Sequence, residues 1–556
     1  MNINPIIIDL LHMRGIDTAE EMVEFLTDKP KKTYDPFLLP NMEAGVDLIL
    51  SEIKKNSKIC IYGDYDADGI TSTTLMLSVL SRLTSKDNLD YYIPSRFEEG
   101  YGLNRDAVKT IADRGFNLLV TVDCGSVSYE EVEYAKSLGM NVVVTDHHNI
   151  TDVMADCPLI NPKHPESIYP FKELSGCGVA FKVAQALQQK SDLPKAVLTE
   201  VLDLVAIGTI GDIMPLVDEN RTMTKFGMKV LNLGGRDGLR RLIEGTSLKV
   251  GEITSENISF VIVPHLNASG RIEDASQAVE LLYGNCSNER KNHIVEDILK
   301  KNQQRRNLQA QTFKDCAANI DKDNLSNLIL INSGEAHEGI AGIVAGKIKE
   351  TFYRPTIIVT PSGEDDCFLK GTGRSVEGLN LYELLKTQEH LFEKFGGHAG
   401  ACGFLLKKDN FEALKEGLEL QMENICRDNP EVFHRKYHVD LELEVEDLTI
   451  ELAEQLKLLA PFGNKNPKPV IMCDCVYISD VKYMGSDSQH VRFSINSFDN
   501  GAKVQGVMFN KAQNVDFEQA SFEAGVIGTL DVQVWQGVKR LQFQTEEIQF
   551  DEKVGR

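Results

Sequence analysis

Short apolar segments alternate with helical stretches after residue 58, and this alternation constrains the fold more than any other feature of the chain. The apolar segments KICIYG, DYYIP, NLLVTV and NVVVT are separated by predicted helices at 70–83, 104–114 and 128–138. Strands that are apolar on both faces and alternate with helices are typical of a parallel sheet covered by helices. The first half of the chain is therefore predicted to be an α/β domain.

Acidic residues and histidines follow these predicted strands at the point where each strand ends. They are Asp64, Asp66 and Asp68 after the first strand, Asp123 after NLLVTV, and Asp146, His147 and His148 after NVVVT. Because the carboxyl ends of parallel strands meet at one edge of a sheet, we expect these side chains to converge. A single aspartate after a strand commonly caps the next helix instead, but three acidic strand ends with paired histidines favour a site.

Convergent carboxylates need a counter-charge, since like charges oppose each other's ionisation. Carboxylates mixed with imidazoles suit Mn²⁺ or Mg²⁺, and a cluster this acidic can hold two cations about 3.5 to 4 Å apart that share one aspartate. Asp212, in the segment GDIMPL, is a further acidic candidate. Its alternative is an ordinary turn aspartate, because Gly211 and Pro215 flank it.

Several other site types are excluded by spacing. The loop from Asp64 to Gly69 begins like a calcium-binding EF-hand, but Leu75 stands at the twelfth position, where a glutamate is required. The 11 cysteines include no CxxC pair, which excludes zinc fingers and favours a reducing compartment. The stretch GIVAGK is one residue short of a P-loop and precedes Ile348, so no ATP site is expected.

The net charge of −24 argues against an extended basic surface for nucleic acid, although a local groove remains compatible with it. Two segments carry an excess of basic residues, 225–249 and 299–306. They are either solvated helix faces or parts of such a groove. The chain shows neither an apolar run of about 20 residues nor a secretory signal, so we expect a cytoplasmic protein without a membrane partner.

The second half of the chain changes character twice. A stretch at 289–320 lacks Gly and Pro and is predicted to be one connecting helix, whereas the segments after residue 430 alternate by twos and predict a small β-barrel. In that barrel, Trp535 and Phe543 either stack on bases or fill the core. The expected domains are 1–50 (helical), 51–288 (α/β), 289–320 (helix), 321–430 (α/β) and 431–556 (barrel).

The acidic motifs also carry a family resemblance. DYDADG, TVDCG, TDHH and GDIMPL, in this order, resemble the motifs of the DHH phosphoesterase family, while HEGIAGIVAGKI, GTGRS and KFGGHAGACGF resemble the associated DHHA1 domain. RGIDTAEEMVEFL, RFEEGYGLN and LLAPFGNKNPKP are similar to RecJ-type exonucleases within that family. The resemblance implies a DHH-type parallel-sheet domain joined by a long helix to a DHHA1 α/β domain, with a C-terminal OB-like barrel.

This resemblance implies a metal-dependent 5′-to-3′ exonuclease that hydrolyses single-stranded DNA to 5′-mononucleotides by two-metal-ion catalysis, in DNA repair and recombination. Single-strand-binding protein and a helicase are the implied partners. The implied metal and catalytic residues are Asp66 and Asp68, with Asp64 nearby, Asp123 as a bridge, His147, His148 as a metal or phosphate contact, and Asp212. Asp146 would orient an imidazole, and water at the metals would be the nucleophile.

Substrate contacts are implied in the same way. Arg96, Thr372 and Arg374 match a pocket for the 5′-phosphate, Asn267 and Arg271 match contacts to the DNA backbone, and His398 lies in the Gly-rich segment as a hydrogen-bond donor. A surface arginine is the alternative for Arg96, and a structural histidine is the alternative for His398. The chain departs from the RecJ pattern at His265 and Leu266, where Arg and Ile are common.

Two other functions use the same motifs. A phosphodiesterase of short oligonucleotides or cyclic dinucleotides would need the same metal ligands, but the N-terminal segment and the predicted barrel disfavour it. A scaffold built on a degenerate copy of the fold would have lost ligands, and every motif acid and both histidines are present here.

Overall fold

The computed structural model describes residues 3–96, 99–272, 274–334, 336–362, 367–498, 501–512 and 521–550. The chain forms two compact units. The first unit comprises Met1–Pro94, Tyr101–Val263 and Tyr437–Arg556, and the second comprises Ser95–Gly100 and Pro264–Lys436. Within the described ranges, every helix is too short or too polar to cross a membrane.

Helices open the first unit, at α1 (Pro5–Met13), α2 (Ala19–Leu26) and α3 (Met42–Lys54). The side chains of Thr18 and Glu21 form a capping box that satisfies backbone N–H groups at the start of α2. Ile7, Leu10 and Leu11 of α1 are buried in the same core cluster as the C-terminal barrel. Helices α1 and α2 therefore contribute to the core of the barrel, whereas α3 packs against the later helix Gly176–Lys190 and the strand Leu159–Ile160.

A five-stranded parallel sheet follows, as the alternating pattern predicts. Its strands are β1 (Ile59–Tyr62), β2 (Leu89–Tyr92), β3 (Leu118–Val122), β4 (Asn141–Thr145) and β5 (Leu159–Ile160), in the order β2-β1-β3-β4-β5. The connecting helices are α4 (Ala67–Leu80), α5 (Arg105–Asp113) and α6 (Tyr129–Ser137). Every residue of β1 and β3 is buried, which is the reason these strands are apolar on both faces.

Helices complete the α/β part of the first unit. They are α7 (Gly176–Lys190), α8 (Lys195–Glu200), α9 (Leu202–Gly211), α10 (Asp218–Asn232), α11 (Asp237–Glu244) and α12 (Ser255–Asn257). A π-helical segment at Ile258–Ile262 leads into α13 (Val263–Ile272), which belongs to the second unit from Pro264 onward. Helix α9 is buried from Asp203 to Ile210 and packs against α4, α7 and α10. The C-terminal end of α9 thereby lies beside α4, the helix that follows β1.

The basic segment 225–249 contacts its own chain. The Nζ atom of Lys225 donates to the carbonyl oxygens of Phe25 and Thr27, at 3.0 and 2.8 Å. The guanidinium group of Arg236 pairs with the carboxylate of Asp203. Lys225 attaches the N-terminal segment to α10, and Arg236 attaches α11 to α9. Arg240, in contrast, is 40% exposed and pairs with Asp237 and Glu244 on a solvated helix face.

The second unit contains a mixed sheet and the long helix. Its elements are α14 (Ser276–Tyr283), α15 (Asn288–Ala318), β6 (Ile329–Asn332), α16 (Glu338–Phe352), β7 (Thr356–Pro361), β8 (Phe368–Arg374), α17 (Leu381–Lys386), β9 (Phe392–His398), β10 (Ala401–Lys407) and α18 (Phe411–Asp428). The strand order is β6-β7-β8-β10-β9, with β6 and β7 parallel and the other pairs antiparallel. Helix α15 is the uninterrupted helix predicted from the absence of Gly and Pro.

A closed five-stranded barrel ends the first unit. The final elements are β11 (Leu441–Glu442), α19 (Ile450–Leu456), β12 (Ile471–Met484), β13 (His490–Asn496), β14 (Lys503–Met508), β15 (Ser521–Trp535) and β16 (Val538–Gln549). Pairing of β12 with both β13 and β15 closes the barrel, and β11 extends β12. Phe543 is fully buried, so it fills the barrel core and does not stack on bases. The side chain of Trp535 lies outside the described residues.

Short 3₁₀ turns connect several of these elements, at Pro36–Leu38, Lys86–Asn88, Glu389–Leu391, Lys408–Asn410, Pro430–Phe433, Val445–Asp447 and Lys457–Leu459.

Candidate active site

The loop after β1 presents two kinds of aspartate. Asp66 is the N-cap of α4, and its Oδ1 atom accepts hydrogen bonds from the backbone N–H groups of Asp68 and Gly69, at 2.9 and 3.1 Å. One oxygen of Asp66 therefore caps the helix, which is the alternative role that the sequence allowed for an aspartate after a strand. Asp64 and Asp68 are buried, at 5% and 1% exposed. The same turn thus starts the helix and directs carboxylates toward the end of the sheet.

Asp68 is held by the N-terminus of α7. Its Oδ2 atom accepts from the N–H of Gly176 at 2.6 Å, and its Oδ1 atom accepts from the N–H of Cys177 at 2.9 Å. A helix N-terminus stabilises negative charge through its free N–H groups and its dipole. This contact fixes the orientation of the carboxylate.

Two glycines allow helices to approach these acids closely. A Cβ atom at Gly176 would lie 2.4 Å from Oδ1 of Asp123, and one at Gly208 of α9 would lie 2.4 Å from Oδ1 of Asp68. Neither contact is possible for a residue with a side chain. The sequence analysis missed both glycines, although the small residues of SGCG and AIGTIG are a signal of close packing.

Asp123 lies at the centre of the cluster. It has a φ of +62°, a left-handed conformation that a non-glycine residue rarely adopts and that is common at functional sites. Its Oδ1 atom lies 3.1 Å from Nε2 of His147. The same Nε2 atom lies 3.4 Å from Oδ2 of Asp212 and 3.9 Å from Oδ2 of Asp68. Side chains from four separate parts of the chain thus meet at one edge of the sheet.

Three groups of side chains place ligand atoms close enough together to hold a metal ion. They are Asp64, Asp66 and Asp123; Asp123, His147 and His148; and Asp68, His147 and Asp212, with ligand atoms within 4.8 Å of one another in each group. Oδ1 of Asp123 and Nε2 of His147 are buried and, among the described residues, have no hydrogen-bond partner. Buried orphan atoms and a mixed carboxylate and imidazole set both fit divalent cations such as Mn²⁺ or Mg²⁺.

The acids of this cluster oppose each other's ionisation. Burial, followed by the charges of Asp212 and Asp66, raises the pKa of Asp68 well above its usual value. Burial and the charge of Asp68 do the same to the pKa of Asp123. Burial and the charge of Asp66 raise the pKa of Asp212 to about 7. A cation that binds here must therefore displace protons near neutral pH.

The paired histidines are in different states. Burial, with a smaller effect from the neighbouring His148, lowers the pKa of His147 to about 3, so its imidazole is neutral and can offer a lone pair. Burial also disfavours the charged form of His148, but the hydrogen bond with Asp146 and the charges of Asp146, Asp212 and Asp68 together outweigh it and raise the pKa of His148. His147 therefore suits metal ligation, whereas His148 suits proton donation.

Asp146 orients His148, as the sequence analysis expected. Its Oδ1 atom lies 2.8 Å from Nδ1 of His148, and its Oδ2 atom accepts from the N–H of Ser126 at 3.0 Å. Burial favours the neutral form of Asp146, yet the hydrogen bond and charge of His148 outweigh it and hold the pKa below its usual value. Asp146 therefore stays ionised.

Tyr101 is a site residue that the sequence analysis missed. Its hydroxyl lies 3.0 Å from Nδ1 of His148 and 3.5 Å from the carbonyl oxygen of Asp123. Burial, with the charge of Asp146, raises the pKa of Tyr101, so the phenol stays protonated. The segment GYG gives a turn signal only, and nothing local in the sequence places Tyr101 beside a histidine.

The predicted phosphate contacts lie in the second unit, and two of them, Thr372 and Arg374, are neighbours. Thr372 and Arg374 are alternate residues of β8 and so share a face of the sheet. A Cβ atom at Gly342 of α16 would lie 3.0 Å from Nη2 of Arg374 and 3.2 Å from Oγ1 of Thr372. Burial lowers the pKa of Arg374, and the positive charge of Arg96 contributes in the same direction. The structure thus places Thr372 and Arg374 side by side, with Arg96 close enough for its charge to act on Arg374.

The other predicted substrate contacts are more dispersed. Nη1 of Arg271 donates to the carbonyl oxygen of Gly339 in the first turn of α16, at 2.9 Å. Oδ1 of Asn267 is buried and has no hydrogen-bond partner within the described ranges. His398 is exposed at the end of β9, and Ala401 separates it from Arg374 in the sheet register.

His265, where the chain departs from the RecJ pattern, contacts the long helix. Its Nε2 atom lies 2.9 Å from Nδ2 of Asn302. Oδ1 of Asn302 in turn accepts from Nε of Arg305, at 3.1 Å. His265 therefore participates in a hydrogen-bond chain along α15.

Comparison with known proteins identifies the family. The DHH family N-terminal domain matches residues 58–209, the DHHA1 domain matches 325–424, and the RecJ OB domain matches 439–547. The single-stranded-DNA-specific exonuclease RecJ of Bacillus subtilis (strain 168) is 37% identical over 99% of this chain and 69% of its own length. The protein of the same name from Escherichia coli (strain K12) is 31% identical over 98% of this chain and 96% of its own length. This chain belongs to the RecJ family.

A solved RecJ structure has the same fold. The crystal structure of RecJ from Thermus thermophilus in complex with Mn²⁺ matches with a TM-score of 0.83 at 25% identity, over 99% of this chain and 76% of that one. The predicted RecJ architecture, a DHH-type parallel-sheet domain, a DHHA1 α/β domain and an OB-like barrel, is thereby confirmed. The domain boundaries given in the sequence analysis stay predictions.

Proposed function

We propose that this chain is a metal-dependent exonuclease that degrades single-stranded DNA from the 5′ end and releases 5′-mononucleotides. One observation carries the proposal, the convergence of acids and imidazoles around Asp123 at one edge of a parallel sheet. Family membership supports the substrate, because the curated relatives are named single-stranded-DNA-specific exonucleases.

Two divalent cations, Mn²⁺ in preference or Mg²⁺, are the proposed cofactors. Asp123 belongs to two of the three ligand groups, so it is suited to bridge a pair of cations. Asp64, Asp66, Asp68, His147, His148 and Asp212 are the other proposed ligands. Divalent cations bound there would offset the carboxylate charge, acidify a water molecule and stabilise charge that develops on the attacked phosphate.

The chain's own groups orient the reacting atoms. The amides at the start of α7 hold Asp68, while Asp146 holds the ring of His148. Because Asp146 and the other acids favour the charged imidazole, His148 is suited to donate a hydrogen bond or a proton to a phosphate oxygen. His147 stays neutral and offers Nε2 as a ligand atom. Each imidazole is thus assigned one role.

The 5′ polarity is proposed to come from Arg96, Thr372 and Arg374, which would bind the terminal phosphate. The planar fork of an arginine contacts two phosphate oxygens at once, and Arg374 keeps this geometry beside a hydroxyl and a second arginine. Asn267, Arg271 and His398 are the proposed contacts to the following DNA backbone. The proposal requires substrate binding to weaken as salt concentration rises, because the contacts are to phosphates.

The proposed cellular role is DNA repair and recombination in the cytoplasm. A single-strand-specific nuclease needs a supply of unwound DNA, so a helicase and single-strand-binding protein are the proposed partners.

The test uses long single strands labelled at either end, with Mn²⁺. We expect release of labelled mononucleotides from the 5′-labelled strand first, and none after chelation of the metal. Asp123→Asn should lower the rate by at least about a hundredfold, the scale of one lost catalytic group. Asp113→Asn is the matched control, because Asp113 is exposed on α5 and pairs with Lys109.

Initial release from the 3′ end would contradict the polarity, and an active Asp123→Asn variant would contradict the site. Dinucleotides serve as the competing substrate. Faster turnover of dinucleotides than of long strands would favour the short-substrate phosphodiesterase instead.

A further inference from the structure

The segment after the fifth strand of the parallel sheet has no part in the function proposed above. The chain leaves β5 at Ile160 and continues as the turn NPKHP, residues 161–165. All five strands of the sheet are parallel, so this turn starts at the same edge as the segments that carry the proposed metal ligands. The turn therefore brings a lysine, Lys163, to the acidic edge.

The backbone around Lys163 is held in place by Asn161, which is fully buried. Oδ1 of Asn161 accepts from the N–H of Lys163 at 2.8 Å, and its carbonyl oxygen accepts from the N–H of His164 at 3.1 Å. Nδ2 of Asn161 donates to the carbonyl oxygen of His148 and to Oγ of Ser126, both at 2.9 Å. One side chain thus ties the turn that carries Lys163 to the backbone of a proposed metal ligand.

The charge of Lys163 reaches two of the proposed ligands. Burial has the largest effect on the pKa of Asp212 and on that of His147, and the charge of Lys163 lowers both. These two side chains come from different elements, and Oδ2 of Asp212 lies 3.4 Å from Nε2 of His147. Because electrostatic interactions weaken with distance, a charge that acts on both lies near the point where they meet.

The ammonium group of Lys163 remains uncommitted. The residue is half-buried, and within the described part of the chain its ammonium forms neither an ion pair nor a hydrogen bond. Lys182 shows the contrast, since its ammonium is fully buried against the carboxylate of Glu219. A lysine that stays accessible beside the metal site can contact a ligand that binds there.

The proposed metal centre leaves negative charge to be offset. Its ligand groups include five carboxylates, those of Asp64, Asp66, Asp68, Asp123 and Asp212, and two divalent cations balance four of them. A DNA phosphate adds a further negative charge, which develops on its oxygens as a nucleophile attacks. A cation already positioned at this edge stabilises such charge without reorganisation.

We propose that Lys163 is a substrate contact of the nuclease site, whose ammonium donates a hydrogen bond to a non-bridging oxygen of the phosphate under attack. This inference rests on the proposed function. Water adds to the phosphorus, the bond from phosphorus to the 3′ oxygen of the terminal nucleotide breaks, and that oxygen leaves with a proton that balances the one lost by the water. Lys163 keeps its own proton, and its contact strengthens as charge develops on the phosphate.

The test compares the unsubstituted protein with Lys163→Met, which keeps a long unbranched side chain but removes the charge. Turnover of 5′-phosphorylated single strands is measured at saturating Mn²⁺, and Mn²⁺ affinity is measured separately by calorimetric titration. We expect kcat to fall at least about tenfold, the scale of one charge-assisted hydrogen bond, with little change in KM. Mn²⁺ affinity should stay equal or increase, because a nearby positive charge is removed.

Two further variants control the comparison. Lys163→Arg keeps the positive charge and should retain more of kcat than Lys163→Met does. Lys136→Met is the matched control, because Lys136 lies in the last turn of α6, just before β4 starts, and so at the opposite edge of the sheet. Its ammonium pairs with Glu133 and Asp156. Turnover by Lys136→Met should equal that of the unsubstituted protein.

The outcomes separate this inference from the proposed function. Normal kcat in Lys163→Met, when the unsubstituted protein degrades single strands, would overturn the inference and leave the proposed function intact. A lower kcat accompanied by weaker Mn²⁺ binding would also overturn it, since Lys163 would then support the structure of the site instead of contacting the substrate. An unsubstituted protein that releases no mononucleotides would overturn the proposed function, and the inference with it.

Discussion

The side-chain amide of Asn464 donates to the carbonyl oxygen of Ile213 at 2.7 Å, and the carbonyl oxygen of Asn464 accepts from the N–H of Leu216 at 2.8 Å. Ile213 follows Asp212 directly and has a φ of +55°. A residue of the loop before the barrel thus fixes the backbone next to a proposed metal ligand. This contact connects the loop before the barrel to the backbone of the proposed metal site.

Asn464→Ala should weaken Mn²⁺ binding by roughly tenfold, the scale at which groups that orient metal ligands act. The reason is that Ile213 loses the amide that holds its left-handed conformation beside Asp212. Calorimetric titration with Mn²⁺ measures the effect. Asn88→Ala is the control, because the amide of Asn88 donates to the surface residue Asn56. Equal Mn²⁺ affinity in both variants would contradict this role of Asn464.

The contribution of Asp212 to the stability of the metal-free protein should fall as pH rises from about 4 to 7. The pKa of Asp212 is 3.8 in an unfolded chain and about 7 in the folded one, so between these values only the unfolded state ionises. Deprotonation therefore favours unfolding as pH rises through this window. Urea unfolding of the protein and of Asp212→Asn at several pH values measures this contribution, and the stability of the protein should fall relative to that of the variant across this window. A stability difference between the two that does not change with pH would refute the assignment.

Gly208→Ala should weaken metal binding. The added methyl group would lie 2.4 Å from Oδ1 of Asp68, so the carboxylate must move. Gly178→Ala is the matched control on a neighbouring helix, where the new Cβ atom would be no closer than 3.4 Å to its neighbours. We expect normal Mn²⁺ affinity in the control and at least a tenfold loss in Gly208→Ala. Normal affinity in both would show that the carboxylate position is not required.

Arg374→Lys should reduce the preference for a 5′-phosphorylated end. Lysine keeps the positive charge but loses the planar fork, so one charge-assisted hydrogen bond to the phosphate is lost. Because such a bond is worth about 1.5 to 3 kcal/mol, we expect KM for the 5′-phosphorylated strand to rise about tenfold. Strands with a 5′-phosphate and a 5′-hydroxyl are compared. Arg427→Lys, at an exposed position of α18, is the control. A variant with an unchanged preference would remove Arg374 from the proposed pocket.

Lys182→Met should destabilise the first unit by roughly 3 to 5 kcal/mol, the cost of leaving one partner of a buried ion pair uncompensated. Nζ of Lys182 lies 2.7 Å from Oε1 of Glu219, and both side chains are fully buried. Urea unfolding measures the loss. The double variant with Glu219→Gln should recover part of it, whereas additive losses in the double variant would show that the two charges do not interact.

The local pattern of the chain determines the architecture. Apolar strands that alternate with helices specify a parallel sheet, and carboxylates directly after those strands specify one acidic edge, because parallel strands all end on the same side. Period-two alternation after residue 430 specifies the barrel in the same way. Each of these predictions depends on residues that are near each other in the chain.

Only the tertiary structure reveals the contacts that complete the site. Asn464 and Ile213 are 251 residues apart, Tyr101 meets His148 across a turn-rich segment, and Lys225 binds carbonyl groups of an N-terminal helix. Such contacts depend on how whole elements pack, and hydrophobic packing is non-directional, so no local periodicity encodes them. The chain's pattern therefore decides where the acids lie, and packing decides what orients them.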